Sequence, residues 1–317
     1  MIRDKFFVDE TMHGTRLDIA ITKYLGRKYS RNQIKNFILG GCVQINDENC
    51  KPKDKLVSGD EIEFNFNDHH DSSWMPENID FNVIDETNDY IIVEKSPNLI
   101  MHPGAGNEQG TLANGLLFRF PELAKLPRSG IVHRLDKDTS GLVVVAKTNE
   151  FRNHIVSEFQ NRNVKKYYYS LIKGNILGQI IINEPILRDR SNRIKMTVDQ
   201  AGREATSIVR NIETFDFYSL VEVEILTGRT HQIRVHMNFN KTPIIGDKIY
   251  GYRNQLAKNL SKGKIDAIQQ FPRQALHACK LSFRLKNNSE YVSYQSELPK
   301  DIQELCLLYT SDAADEL

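Results

Sequence analysis

The chain has 317 residues, 42 Lys and Arg against 41 Asp and Glu, and 40% hydrophobic residues, a balance that excludes a disordered tract or a fibre. At roughly 100 to 200 residues per domain there is room for two or three domains. No run reaches the roughly 18 apolar residues of a membrane span, and the opening MIRDKFFVDETMHG lacks a signal peptide's apolar stretch; a cytoplasmic protein without membrane contact is expected.

Cys42, Cys50, Cys279 and Cys306 are scattered, with no C-x-x-C pair and no Cys/His set at zinc spacing. His231 and His236 stand five apart, not at the four-residue spacing of a helical zinc pair. Reduced thiols, no metal and no cofactor are expected. The net charge of +1 conceals a segregation along the chain. Between positions 19 and 46 there are five basic residues and no acid, between 60 and 94 eleven acids and no Lys or Arg, and between 125 and 175 ten basic residues against four acids. Two basic blocks around an acidic stretch suggest two surfaces for a polyanion and one facing away, although charge alone is more plainly read as solvated faces.

In chain order, Leu17, Ile21, Tyr24 and Leu25 sit at helical spacing, and Ser30 to Gln33 reads as a capping box ahead of Ile34, Phe37 and Ile38. Gly40 and Gly41 stop that second helix. Val43 and Ile45 alternate with polar residues, as do Ile62, Phe64 and Phe66 after a turn, which predicts a small sheet. Residues 14–68, with RLD, SRNQIK, VQIN and GDEI in that order, resemble an S4 domain, a small RNA-binding module. The resemblance implies that the basic helical face, with Arg27, Arg31 and Lys35, binds structured RNA. The plainer alternative is a small helical domain whose basic residues only keep it soluble.

Polar residues and Pro76 between 69 and 79 read as a linker, dividing an RNA-binding unit at 1–68 from a larger domain at 80–305. In the latter, 90–94 and 141–147 are apolar runs of buried-strand length, Val221, Val223 and Ile225 alternate with glutamates, and helices are predicted at 111–119, 149–160 and 231–239. Irregular mixing of strands and helices favours an α+β domain with a mixed, mainly antiparallel sheet flanked by helices and loops.

Three segments carry reactive side chains. In GIVHRLDKDTSGLVVVAK at 130–147 a polar loop runs into a buried strand, and Asp136 lies between Arg134 and Lys137, where positive charge favours a carboxylate ready as base or nucleophile. A charged turn explains the same residues about as well. In LTGRTHQIRVHM at 226–237 a Gly turn leads into a helix, with Arg229 where a strand ends. In KYYY at 166–169, alternate tyrosines face opposite sides of a strand.

These segments, with EKSPNLIMHPGAG at 94–106, PIIGDKIYG at 243–251 and QALHA at 274–278, resemble the RluA/RluD-type pseudouridine synthases, which convert uridine to pseudouridine in RNA. The resemblance spans about 80–305, and the S4-like unit in front is similar to the RluD branch, whose targets lie in large-subunit ribosomal RNA. It implies that Asp136 is the essential aspartate, Tyr168 the active-site tyrosine, Arg229 the arginine paired with the aspartate, and Arg134 the residue filling the gap left by an extruded uridine. His133, His231 and Gln232 are expected to contact substrate. Ser96 departs from the pattern at a peripheral position. Asp136 and Asp138 are the nearby carboxylates an RNA N-glycosidase would need, and a transfer-RNA enzyme or a non-catalytic RNA-binding or ribosome-assembly protein are further alternatives. The final CLLYTSDAADEL lies outside the resemblance, reads as an added remnant and is given no role. A monomer is expected.

Overall fold

A computed structural model describes residues 2–26, 29, 31–66, 74–104, 106–215, 217–251, 256, 260–286 and 290–310. The chain divides into two compact units, residues 1–70 and 71–317.

The first unit is built from β1 (Ile2–Phe7), α1 (Leu17–Tyr24), α2 (Arg31–Leu39), β2 (Val43–Ile45), β3 (Glu48–Asn49) and β4 (Glu61–Phe66). Its sheet runs β1-β4-β2-β3, all antiparallel. Leu17 and Ile21 of α1, Ile34 and Ile38 of α2 and Val43, Ile62 and Phe64 of the sheet are buried together, as their 3.6 and 2.0 residue periods require. β1 was not expected, because IRDKFF does not alternate cleanly: Phe6 is buried while Phe7 is exposed. Ser30, Arg27 and the side chain of Gln33 lie outside the described residues, and with them the expected capping box.

Arg31 and Lys35, both expected on an RNA-binding face, differ in what they do. Lys35 is exposed on α2, whereas Arg31 Nε donates to Asp18 Oδ2 at 2.9 Å, a carboxylate also held by Arg16 at 2.9 Å. Asp18 is buried; burial opposes its charge, but hydrogen bonds from Arg31 and then Arg16 outweigh that and hold its carboxyl below the ordinary aspartate range. Arg31 therefore neutralises a buried acid. Arg16, Arg31, Lys35, Lys51 and Lys53 line a groove of about 690 Å³.

The second unit contains β5 (Asn82–Glu86), β6 (Tyr90–Lys95), α3 (Leu112–Arg119), β7 (Ser140–Ala146), α4 (Asn149–Gln160), β8 (Lys165–Lys173), β9 (Gln179–Asn183), β10 (Ile186–Arg188), β11 (Met196–Val198), β12 (Thr206–Phe215), β13 (Tyr218–Ile225), α5 (Gln232–Phe239), α6 (Lys262–Gln270), β14 (Leu276–Arg284), β15 (Tyr291–Gln295) and α7 (Lys300–Thr310). Its main sheet runs β5-β6-β7-β14-β8-β13-β12-β9, with β15 also on β14. Only the β7–β14 pair is parallel among the described residues, so the sheet is mixed and mainly antiparallel. β7 is buried at every position, as its uninterrupted SGLVVVA predicts. Where it meets β14, Gly141 has φ +116°, and a Cβ there would lie 2.3 Å from the Ala278 carbonyl oxygen; only glycine permits that approach.

Two expected boundaries shift. Residues 74–79 belong to the second unit: Asn114 Nδ2 donates to the Met75 carbonyl at 2.7 Å, Glu77 accepts from the Gly110 N–H at 2.7 Å, and Trp74 packs against the core. Their polar groups, read as linker chemistry, are spent on α3 and the loop before it. At the other end α7 continues past 305, and Leu305 and Cys306 lie in the core; residues 306–310 are part of the domain, while 311–317 lie outside the described residues.

The two basic residues of α2 should separate experimentally. Lys35→Glu is expected to weaken RNA affinity and flatten its salt dependence while leaving the thermal midpoint unchanged. Arg31→Glu should in addition destabilise the first unit by roughly 1 to 2 kcal/mol after solvent screening, read from its unfolding transition.

Candidate active site

The site is built on the loop that enters β7. The loop is fastened from behind by its own backbone: Ile131 bridges to Val145, and the Thr139 N–H donates to the Asp136 carbonyl at 3.1 Å, closing a turn. The Val144 N–H donates to His133 Nε2 at 3.0 Å. His133 thus accepts a bond from the strand, which needs a neutral ring; burial, then Lys166, pushes its pKa down to about 3. It is a fastening for the loop as well as part of the cavity wall.

Two buried cations hold the loop's carbonyls. Lys95, fully buried at the end of β6, donates from Nζ to the carbonyls of Lys137 at 2.8 Å, Ser96 at 2.8 Å and Leu99 at 2.9 Å. Burial pulls its pKa down to about 7, partly countered by Asp138 and Asp136. Arg273, paired with Asp301 of α7 at 2.7 and 2.9 Å, turns Nη1 toward the Asp138 carbonyl at 3.4 Å. Neither residue was singled out from the sequence, where a lysine at a strand end and an arginine in FPRQ look like surface charges.

Asp136 lines a cavity of about 350 Å³ and is the only acid to do so among the described residues. Its Oδ2 accepts from Arg234 Nη1 at 2.9 Å. Arg234 also forms a two-pronged pair with Asp247: Nε to Oδ2 at 2.7 Å and Nη2 to Oδ1 at 2.9 Å. Asp247 is fully buried and accepts in addition from the Ile249 and Tyr250 N–H groups. Burial works against the charge of Arg234, yet Asp247 and then Asp136 outweigh it and push its pKa above the ordinary arginine value. The guanidinium is thereby fixed in plane, with one remaining edge aimed at Asp136.

This arrangement corrects the expected partner of the aspartate. Arg229 donates from Nε to the Glu204 carbonyl at 2.8 Å and does not pair with Asp136; it remains in the cavity wall. The reason lies in the backbone. His231, in the left-handed region with φ +56°, turns the chain into α5, so that Arg234, the third residue of the helix, faces the loop. α5 is buried from Gln232 to Met237, and an arginine on a buried face demands a carboxylate.

The remaining predicted residues separate into those that face the cavity and those already committed. Tyr168 lines it and is buried, while Tyr167 points to the other face, where its hydroxyl donates to Glu224 at 3.3 Å. Burial, then Asp136, raises the Tyr168 pKa well above the usual phenol range, so Tyr168 offers a neutral phenol and a ring face. His231 bonds through Nδ1 to the Tyr250 hydroxyl at 2.8 Å and brings Nε2 to 3.8 Å from Asp136. Arg134 is exposed at the cavity. Gln232 is not available to a substrate: its oxygen accepts from Thr227 and the Arg229 N–H, and its amide donates to the Thr206 carbonyl and Ser207. It pins the β13–α5 turn to β12. Lys166 also lines the cavity, and burial, then Arg229, pulls its pKa down to about 8.

Asp138 does not join Asp136. The 136–139 segment is a turn rather than an extended strand, so the two side chains do not share a face, and Asp138 is absent from the cavity wall. The two-carboxylate arrangement of a glycosidase is therefore not assembled.

A single carboxylate held by a fixed guanidinium thus stands beside a neutral tyrosine in a cavity that cationic side chains also line. Residues 89–239 match the family described as RNA pseudouridylate synthase, and residues 15–62 the S4 domain. The chain is 38% identical over 97% of its length to the ribosomal large subunit pseudouridine synthase D of Yersinia pestis, covering 95% of that protein. It is 37% identical over 96% of its length to the enzyme of the same name from Escherichia coli K12, covering 94% of it. The chain belongs to the RNA pseudouridylate synthase family. The human RNA pseudouridylate synthase domain containing 4 structure shares the fold, with a TM-score of 0.56 at 22% identity, covering 71% of this chain and 93% of that one. The protein is an RNA pseudouridine synthase with an N-terminal S4 domain, an RNA-binding enzyme of mixed α and β structure.

Two outcomes follow from the geometry. Asp247→Asn, which loosens the grip on Arg234, should lower the single-turnover rate by about a hundredfold with RNA affinity retained. Lys166 loses its charge as pH rises through about 8, so RNA affinity should fall between pH 7 and 9, and Lys166→Arg should flatten that decline.

Proposed function

We propose that the chain isomerises particular uridines of large-subunit ribosomal RNA to pseudouridine, with Asp136 as the reacting carboxylate. The observation that carries this reading is the position of Asp136 as the sole acid among the described cavity residues, oriented by Arg234. The ribosomal target is supported by the printed name of the relatives that align with nearly the full chain, large subunit pseudouridine synthase D. A transfer-RNA target lacks that support, and a non-catalytic binding protein would have no use for the Asp136–Arg234–Asp247 chain.

The reaction is an isomerisation in which no atom is gained or lost. The bond from uracil N1 to ribose C1′ breaks, the uracil turns, C5 bonds to C1′, and the proton leaving C5 is balanced by one gained at N1. One anionic carboxylate suffices to open the sequence, whether it engages C1′, a ribose proton or the uracil ring. Arg234 fixes its direction through a charge-assisted bond. Tyr168, held as a neutral phenol, presents a ring for the uracil to stack on and retains the detached base. The base must first leave its stack, at a cost of a few kcal/mol, which contacts to the RNA backbone offset. Arg134, exposed beside the cavity, is placed to occupy the space the base vacates. On this reading the enzyme acts in the cytoplasm, as a monomer.

Asp136→Asn keeps the side chain's shape and removes its charge. It is expected to abolish pseudouridine formation on unmodified large-subunit ribosomal RNA, with RNA affinity within about threefold of wild type. Full activity in that variant would refute the assignment, and free uracil released by the wild type would mark an N-glycosidase.

A further inference from the structure

A second group of basic residues, Arg128, Arg152 and His102, lies outside the cavity wall. Arg128 sits in a turn in which Arg128 (φ +56°), Ser129 (φ +50°) and Gly130 (φ +76°) are all left-handed. Gly130 presses that turn against the end of β7: a Cβ there would be 2.1 Å from the Ala146 carbonyl oxygen. α4 begins just after that strand end and contributes Arg152 from its first turn. His102 enters from the loop after β6, its ring 5.6 Å from that of Trp74.

Arg128 and Arg152 repel one another, and neither has an ion-pair partner among the described residues. Arg152 has its pKa lowered by burial and then by Arg128. His102 is pulled down to about 4 by burial, then by Arg128 and Arg134, so it is a neutral ring with one N–H to give. No acid acts on either. The buried arginines elsewhere in this unit, Arg234 and Arg273, each hold a carboxylate with two bonds. Arg152 has only Asn153, at 3.4 Å. Arg152 Nε, His102 Nε2 and the hydroxyl of Ser129, a residue with no exposed surface, are buried without a hydrogen-bond partner among the described residues. Buried polar groups are otherwise nearly always bonded, and two consecutive non-glycine residues in the left-handed region are held there only when the surroundings insist. Clustered cations, unspent donors and a constrained turn at one place are the features of a site for an anion.

We propose that Arg128, Arg152 and His102, bordered by Arg134, form a subsite for a backbone phosphate of the RNA strand that carries the flipped uridine. The inference rests on the reading of the protein as an RNA isomerase. Arg134 lines the cavity and also acts electrostatically on His102, which links the cluster to the cavity mouth through which the strand enters. Arg128, exposed, supplies the leading charge; Arg152 and His102 stand behind it as donors. The bond energy gained at the phosphate is available to offset base flipping.

The test uses the full chain and unmodified large-subunit ribosomal RNA. Affinities of wild type, Arg128→Gln and Arg152→Gln are measured across a salt series, alongside single-turnover pseudouridine formation at saturating RNA. Each variant should bind on the order of fivefold more weakly, with the slope of log affinity against log salt reduced by about 0.7 to 0.9, the signature of one lost phosphate contact. Wild-type affinity and slope in both variants, with folding confirmed by thermal melting, would overturn the subsite while leaving the isomerase reading intact. A lowered slope together with no pseudouridine formed by wild type would support the phosphate contact and overturn the isomerase reading instead. Inorganic phosphate serves as the remaining arm: if it binds wild type and not the variants while RNA slopes stay equal, the site takes a free anion and the proposal fails.

Discussion

The catalytic unit is organised around one guanidinium shared by two carboxylates. Asp247, fully buried and accepting from two backbone N–H groups, cannot move, and it fixes Arg234 through two bonds of 2.7 and 2.9 Å. What remains of the guanidinium's donor set points at Asp136. Removing either acid leaves a buried cation with part of its compensation gone, a cost of several kcal/mol, so structure and chemistry share the same three residues. Two carboxylates share one guanidinium, and Arg134, Lys166 and Arg229, which also line the cavity, supply the positive charge that favours RNA there.

The loop that bears Asp136 is irregular, and loops are ordinarily the mobile part of a fold. Here it gains rigidity from donors placed behind it. Lys95 and Arg273 reach the carbonyls of the turn's two central residues, Lys137 and Asp138, and His133 takes an N–H from β7. β7 is itself locked between β6 and β14, with Gly141 allowing the close passage that the parallel pair requires. Arg273 connects this arrangement to α7 through Asp301, which makes the C-terminal helix a contributor to the site.

Much of this was readable in the sequence, for physical reasons. SGLVVVA could only be a strand buried on both faces, and YSLVEVEI only one with a single wet face; both are so. Helix limits at Leu112–Arg119 and Asn149–Gln160 follow from Thr111 and Thr148 as caps. Asp136 and Tyr168 were expected in one site because their motifs are local, and both line the cavity. The pairing of Asp136 is not local: the choice between Arg229 and Arg234 depends on a left-handed residue at His231 that rotates the helix, and no periodicity reports a single φ angle. Gln232 was misjudged, and Lys95 passed over, for a related reason, since their partners are backbone carbonyls and side chains brought from distant parts of the chain. Residues 74–79 show the converse error, in which polar composition suggested a linker although the Met75 carbonyl and Glu77 are bonded to the second unit.

Whether Arg234 acts by direction or merely by charge is the question at the centre of this account. Arg234→Lys retains the positive charge and loses the planar fork that joins Asp247 to Asp136. Single-turnover pseudouridine formation by that variant, at saturating RNA, is the most direct measurement. A fall of about fiftyfold or more with unchanged RNA affinity is the expected result. A rate close to wild type would show that any nearby cation suffices, and would contradict the claim that a fixed guanidinium aims the reacting carboxylate.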